Sequence, residues 1–168
     1  MNVLYFSSEI DDKAVGHLIS DINKQKGEVT VYFESWGGCG SAAMAFIDFT
    51  KKTDIKITMV AYGNLMSAGF MMFYLSDTKK ETLLGKTTMI HKGSYTKKEW
   101  VRAFREGTIK EHREAIGSTD KYVGRCLFDL RVSMPKIARY GKHKDVYFTQ
   151  AEATCLADNA QKLYYTKG

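Results

Sequence analysis

Proline occurs once in this 168-residue chain, at Pro135, and no proline-rich or other low-complexity stretch divides it. No interdomain linker or internal repeat is present, so one domain over residues 1–168 is expected. Cysteine is nearly as scarce. Cys39, Cys126 and Cys155 are odd in number, far apart and without C-x-x-C or paired histidine spacing, which excludes a disulfide framework and a zinc site. No metal and no cofactor is expected. Long hydrophobic runs are missing too: nothing approaches the roughly 20 apolar residues that span a bilayer. The opening Met1-Asn2-Val3-Leu4-Tyr5-Phe6 lacks the basic region and cleavage site of a signal peptide. A cytoplasmic protein with no membrane partner is the expectation.

What the chain does have is core. Apolar residues make up 44% and aromatics 12%, enough for a folded domain of this length. The formal charge of +6 is confined: residues 92–145 hold 14 of the 25 basic groups and 7 of the 19 acidic ones. A basic patch suggests nucleic acid, but Glu99, Glu106, Glu111 and Glu114 are interleaved with the bases at helical spacing. Mixed signs at that spacing describe a solvated helix face or a subunit contact, and nucleic acid is not expected.

Strand-like and helix-like segments alternate. Val3 to Ser7 predicts a strand, and Asp11 to Lys26 a helix with Ala14, Val15, Leu18, Ile19 and Ile22 on one face. Val29 to Glu34 predicts a second strand, followed by the turn Ser35-Trp36-Gly37-Gly38. A helix over Gly40 to Thr50, an apolar strand over Ile55 to Tyr62 and a buried helix over Ser67 to Leu75 come next. Thr82 to Ile90 reads as one or two short strands ending at His91. The order is that of an α/β fold with parallel pairing. From Thr96 the chain becomes a long polar helix opened by the capping box Thr96-Lys97-Lys98-Glu99, with Trp100 and Phe104 sharing a face. Gly107, Gly117 and Gly124 predict a kink or a split. Ser133 and Pro135 start a further short helix that Gly141 ends.

Ser67 stands between an apolar strand and a buried helix, in Gly63-Asn64-Leu65-Met66-Ser67-Ala68-Gly69-Phe70. A serine there is either a helix N-cap or a nucleophile held on rigid backbone beside unpaired helix N–H groups. Gly37-Gly38 ends another strand and belongs to the same sheet edge, where glycine lets backbone N–H groups turn toward a ligand. His91 ends the strand Thr88-Met89-Ile90 and has the proton affinity of a general base. Asp145, before Val146-Tyr147-Phe148-Thr149, is placed to orient an imidazole. Each has an ordinary structural explanation alone: a cap, a tight turn, a packing histidine, a solvated aspartate.

Together, these motifs resemble the proteolytic subunit of the Clp protease, ClpP, in the ClpP/crotonase superfamily. The resemblance runs from Val3 over essentially the whole chain. The family's Ser-Pro-Gly-Gly turn is similar to Ser35-Trp36-Gly37-Gly38, its nucleophile turn to residues 63–69, its Met-Ile-His to Met89-Ile90-His91, and its Asp-led aromatic segment to residues 145–149. The resemblance implies a ClpP/crotonase-like α/β fold of repeated β-α-β units, with a head formed by residues 1–95 and 133–168 and a protruding helical handle over 96–132. It implies a serine endopeptidase acting on polypeptide, with Ser67 as nucleophile, His91 as base, Asp145 as orienter, and the N–H groups of Gly38 and Ala68 as oxyanion hole. Gly37 and Trp36 would line the substrate site.

It further implies a homo-oligomeric ring, with the handle docking two rings face to face. Trp100 and Phe104 would need a partner surface there. The chain begins almost at its first strand, without the segment that in this family lines the axial pore, which argues against dependence on an ATP-driven unfoldase. Trp36 replaces the family's proline, and Lys92-Gly93-Ser94-Tyr95 replaces its glycine-rich strand. The alternative to the peptidase is an inactive structural or regulatory subunit; acyl-CoA chemistry of the crotonase type shares only the fold.

Overall fold

A computed structural model describes residues 2–83 and 87–168. Its sheet is built on β3 (Ile57–Met66), the longest strand and the centre of the pairing. On one side β3 pairs in parallel with β2 (Val29–Ser35), which pairs in parallel with β1 (Asn2–Ser7). On the other, the start of β3 pairs with β4 (Lys79–Thr82) and its end with β5 (Thr88–Ile90), both in parallel. β6 (Val146–Phe148), a strand that the sequence reading did not assign, closes the row antiparallel to β5. The reason is connectivity: β6 arrives from the helical segment, outside any β-α-β crossover. The reading of Thr82 to Ile90 as one or two short strands holds for β5, whereas β4 lies earlier and shares only Thr82 with it; its stretch 84–86 lies outside the described residues.

The connecting helices follow their sequence signals. α1 (Asp12–Asn23) starts where the Asp11 carboxylate accepts the Ala14 N–H, and it buries Val15, Leu18 and Ile22. α2 (Gly40–Lys52) buries Phe46 and Ile47. α3 (Ala68–Leu75) is buried at every residue, as a helix apolar all round must be. Phe70 stacks on Phe148 at 5.6 Å, so α3 ties the Ser67 turn to β6. The polar stretch splits at Gly107, which takes the left-handed backbone (φ 68°), into α4 (Lys97–Glu106) and α5 (Ile109–Asp129). The α4 capping box is formed at Thr96 and Glu99. α5 buries Val123, Cys126 and Leu127, all in its second half, so its first half and α4 stand off the core. α6 (Met134–Gly141) carries Pro135 in its first turn, and α7 (Gln150–Tyr164) opens with a second capping box, Thr149 with Glu152.

One expectation about the helical pair is corrected. Trp100 finds its partner within the chain, packing edge-on to Tyr95 at 5.4 Å with Arg113 over its other face. Phe104, one turn on, is 75% exposed.

The C-terminal tail is latched to the core through a buried carboxylate. Asp77 accepts from the Thr166 N–H at 2.8 Å and hydroxyl at 2.7 Å and pairs with Lys167 at 3.3 Å. Lys167 also donates to the Thr50 carbonyl, at the end of α2. Burial alone would raise the Asp77 pKa, but the Thr166 bonds and Lys167 outweigh it and hold it below the usual carboxylate value. Its contribution is therefore present above the unfolded-state pKa of about 4 and lost as pH falls through the lower folded value. Asp77→Ala should cost about 3 kcal/mol in urea unfolding at neutral pH, with the gap to wild type narrowing as pH falls below the unfolded-state value of about 4.

Candidate active site

β3 and β5 end side by side, with Met66 registered on Met89. The next residue, Ser67, takes φ 54° and ψ −120°, a backbone conformation that serine rarely adopts. A cost of order 1–3 kcal/mol is maintained only where surroundings enforce it. Here the enforcing contacts are visible. The Ser67 N–H donates to the Met89 carbonyl at 2.8 Å, and the Ser67 carbonyl accepts the Met71 N–H as α3 begins. The hydroxyl makes no cap bond to the helix, so the N-cap explanation of this serine fails.

The glycine turn after β2 closes on the same point. Gly37 has φ 114°, and a Cβ there would lie 2.8 Å from the Ser67 Cβ and 3.4 Å from its Oγ. Only glycine allows this approach. Gly38 has φ 143°, and a Cβ on it would meet the Ile10 carbonyl oxygen at 2.2 Å. Ile10 holds the turn from outside: its N–H donates to the Gly37 carbonyl at 2.9 Å, and its carbonyl accepts from Cys39 at 2.7 Å. Ser35 holds it from inside, through a buried hydroxyl that donates to the Ser8 carbonyl and accepts the Gly37 N–H at 3.1 Å. Sequence reasoning placed Ser35 in the turn but missed this role; a serine two residues before the glycine is the pattern of a side-chain-closed turn.

Two backbone donors stay open. Among the described residues no acceptor takes the N–H of Gly38 or of Ala68. Gly38 is exposed and Ala68 buried at the N-terminus of α3, where unpaired N–H groups and the helix dipole favour negative charge.

His91 and Asp145 reach the same edge by register. Ile90 pairs with Val146, so one further antiparallel step sets His91 opposite Asp145. His91 is half-buried and Asp145 exposed. Arg139 Nε donates to the Asp145 main-chain carbonyl at 2.6 Å, which fixes the backbone and leaves the carboxylate free to turn. Among the described residues no hydrogen bond joins Ser67 to His91 or His91 to Asp145. The fold thus brings serine and glycine turn into contact and puts the other two at the adjoining strand ends. Trp36 is 71% exposed on the outer side of the turn. No group of three or more metal-ligating side chains occurs among the described residues.

An α/β protein with a strained serine and open N–H groups at its carboxyl sheet edge is the class these features define. Comparison with known proteins narrows it. Residues 2–159 match the family model described as Clp protease. A solved structure of a ClpP1 point mutant from Listeria monocytogenes superposes with a TM-score of 0.70 at 16% identity, over 93% of this chain and 87% of that one. No curated protein matches by sequence. The chain belongs to the Clp protease family.

The contact at Gly37 gives a direct test. Gly37→Ala adds a methyl group against Ser67 and strains the turn, so labelling of Ser67 by a fluorophosphonate should slow by about tenfold or more, while circular dichroism stays native.

Proposed function

We propose that the protein is a ClpP-like serine endopeptidase in which Ser67 is the nucleophile, His91 the general base and Asp145 its orienter. The observation that carries this reading is the Ser67 backbone: positive φ, no capping bond, and a glycine turn packed against its Cβ. Structural serines have no need of that strain, and it aims the hydroxyl off the sheet edge.

The chemistry follows from the positions. The Ser67 hydroxyl attacks the scissile carbonyl while His91 takes its proton, and the developing oxyanion is met by the N–H groups of Gly38 and Ala68. His91 returns the proton to the leaving amine as the C–N bond breaks, giving an acyl-enzyme that water hydrolyses by the same route. Asp145 acts on the imidazole alone, holding its orientation and favouring its protonated form. Triad hydrogen bonds that are open without ligand and tighten with substrate are common in such sites. Gly37 and Trp36 border the approach to Ser67 and are assigned to substrate contact.

The helical pair α4–α5 is assigned to assembly. Val101 and Phe104 on α4 are exposed, and apolar groups standing off the core call for a covering surface. A homo-oligomer, closed as a ring, is the proposed state.

Ser67→Ala should abolish peptide hydrolysis with folding intact, and a fluorophosphonate should add once per chain, on Ser67, by intact mass and peptide mapping. Hydrolysis surviving in that variant would overturn the assignment. A folded wild-type protein that takes no adduct and cleaves no peptide would favour the inactive-subunit alternative. Sedimentation at micromolar concentration should show an assembly that Phe104→Glu weakens by about tenfold or more in dissociation constant.

A further inference from the structure

A cleft of about 860 Å³ lies between the segment that follows His91, α5 and α6. That is within the range of ligand sites and large enough for several residues of peptide. Its walls combine aromatic rings with cations. Tyr95 and Trp100 stand edge to face, and the Tyr95 hydroxyl is held at 2.9 Å by His112 Nδ1, so this wall is fixed in place. Ile116 and Ile137 supply apolar surface.

The charges in the cleft are unbalanced. Lys92, Arg113 and Lys121 face a single carboxylate, Asp120, among the lining residues. Asp120 is already engaged, accepting the Gly93 N–H at 2.7 Å. Lys92 is engaged as well, donating to the Gly141 carbonyl at 3.3 Å and lying over the Tyr140 ring. Arg113 lies over the Trp100 ring, 5.2 Å from its centroid, and neither it nor Lys121 has an ion-pair partner among the described residues. Arg113 over its ring and Lys121 on the same helix leave the cleft with positive charge that an anion would balance.

The cleft wall starts one residue beyond His91. Lys92 follows His91 directly. A Cβ on Gly40, two residues past the glycine pair, would lie 3.5 Å from Thr119 on α5, the sequence neighbour of the cleft-lining Asp120.

We infer that the cleft is an extended substrate subsite that takes an acidic stretch of polypeptide on Arg113 and Lys121. This rests on the peptidase reading and adds to it a substrate class. The test separates the two. Ser67→Ala protein in a Trp36→Phe background, with Trp100 as the fluorescent reporter, is titrated with a peptide carrying three glutamates and with its glutamine counterpart. The glutamate peptide should bind roughly tenfold more tightly, the gap should shrink as salt is added, and Arg113→Gln with Lys121→Gln should remove it. Equal affinities, or a preference that survives the double substitution, would overturn the inference. So would an assembly that dissociates on the same double substitution without any peptide preference, since the cleft would then be a contact between copies. A preference for glutamate with no cleavage by wild-type protein and no Ser67 adduct would keep the acidic-peptide site and remove the peptidase reading.

Discussion

A serine with left-handed backbone is the constraint on which the rest of the catalytic edge depends. Ser67 stays in that conformation because β5 accepts its N–H, α3 begins at its carbonyl, and Gly37 leaves no room for it to relax. Each restraint reaches further into the molecule. β5 is tied to β6, α3 is packed on all sides and stacked on Phe148, and the Gly37 turn is fastened to Ser8, Ile10 and Ser35. The strain is thus spread over both halves of the sheet. Local loosening at any of these three supports lets the hydroxyl turn back toward an ordinary cap.

Much of this was legible in the sequence, because the strongest signals are local. The α1 face, the buried run of α3, the capping box at Thr96 and the break at Gly107 are each written in a few neighbouring residues, and the structure carries them all. The candidate site was legible as four short motifs, and the fold sets all four at one sheet edge. What escaped was non-local. The antiparallel direction of β6 depends on where a helical excursion returns. The role of Ser35 depends on Ser8, far off in sequence, and the burial of Trp100 depends on Tyr95 and Arg113 closing on it from outside its own helix. A helix pattern shows which face is apolar, but not whether the chain itself covers that face.

The same division governs the charges. At helical spacing, the mixed charges of α4 and α5 form exposed ion pairs such as Arg102 with Glu106, worth little in stability. Two lysines outside that surface sit in buried surroundings, with opposite effects. Lys167 seals the tail onto Asp77, and Lys80 is buried, donating to the Ser76 and Thr78 carbonyls at the end of α3. Burial lowers the Lys80 pKa to about 7, against the opposing pull of Asp77. The sign is that of a cation the fold disfavours: this term relaxes as pH rises from about 7 toward the unfolded value near 10. The helix that presents Ser67 is thus closed at its far end by an amine rather than by solvent.

The bridge between Ile10 and Gly38 ties the first β-α connection to the glycine turn. Ile10 is fully buried, and its backbone lies where a Gly38 side chain would be. The loop from Ser8 to Ile10 therefore helps fix the direction of the Gly38 amide, so the geometry of the turn depends on residues set apart from serine, histidine and aspartate, two of which, Ser8 and Glu9, lie at the surface.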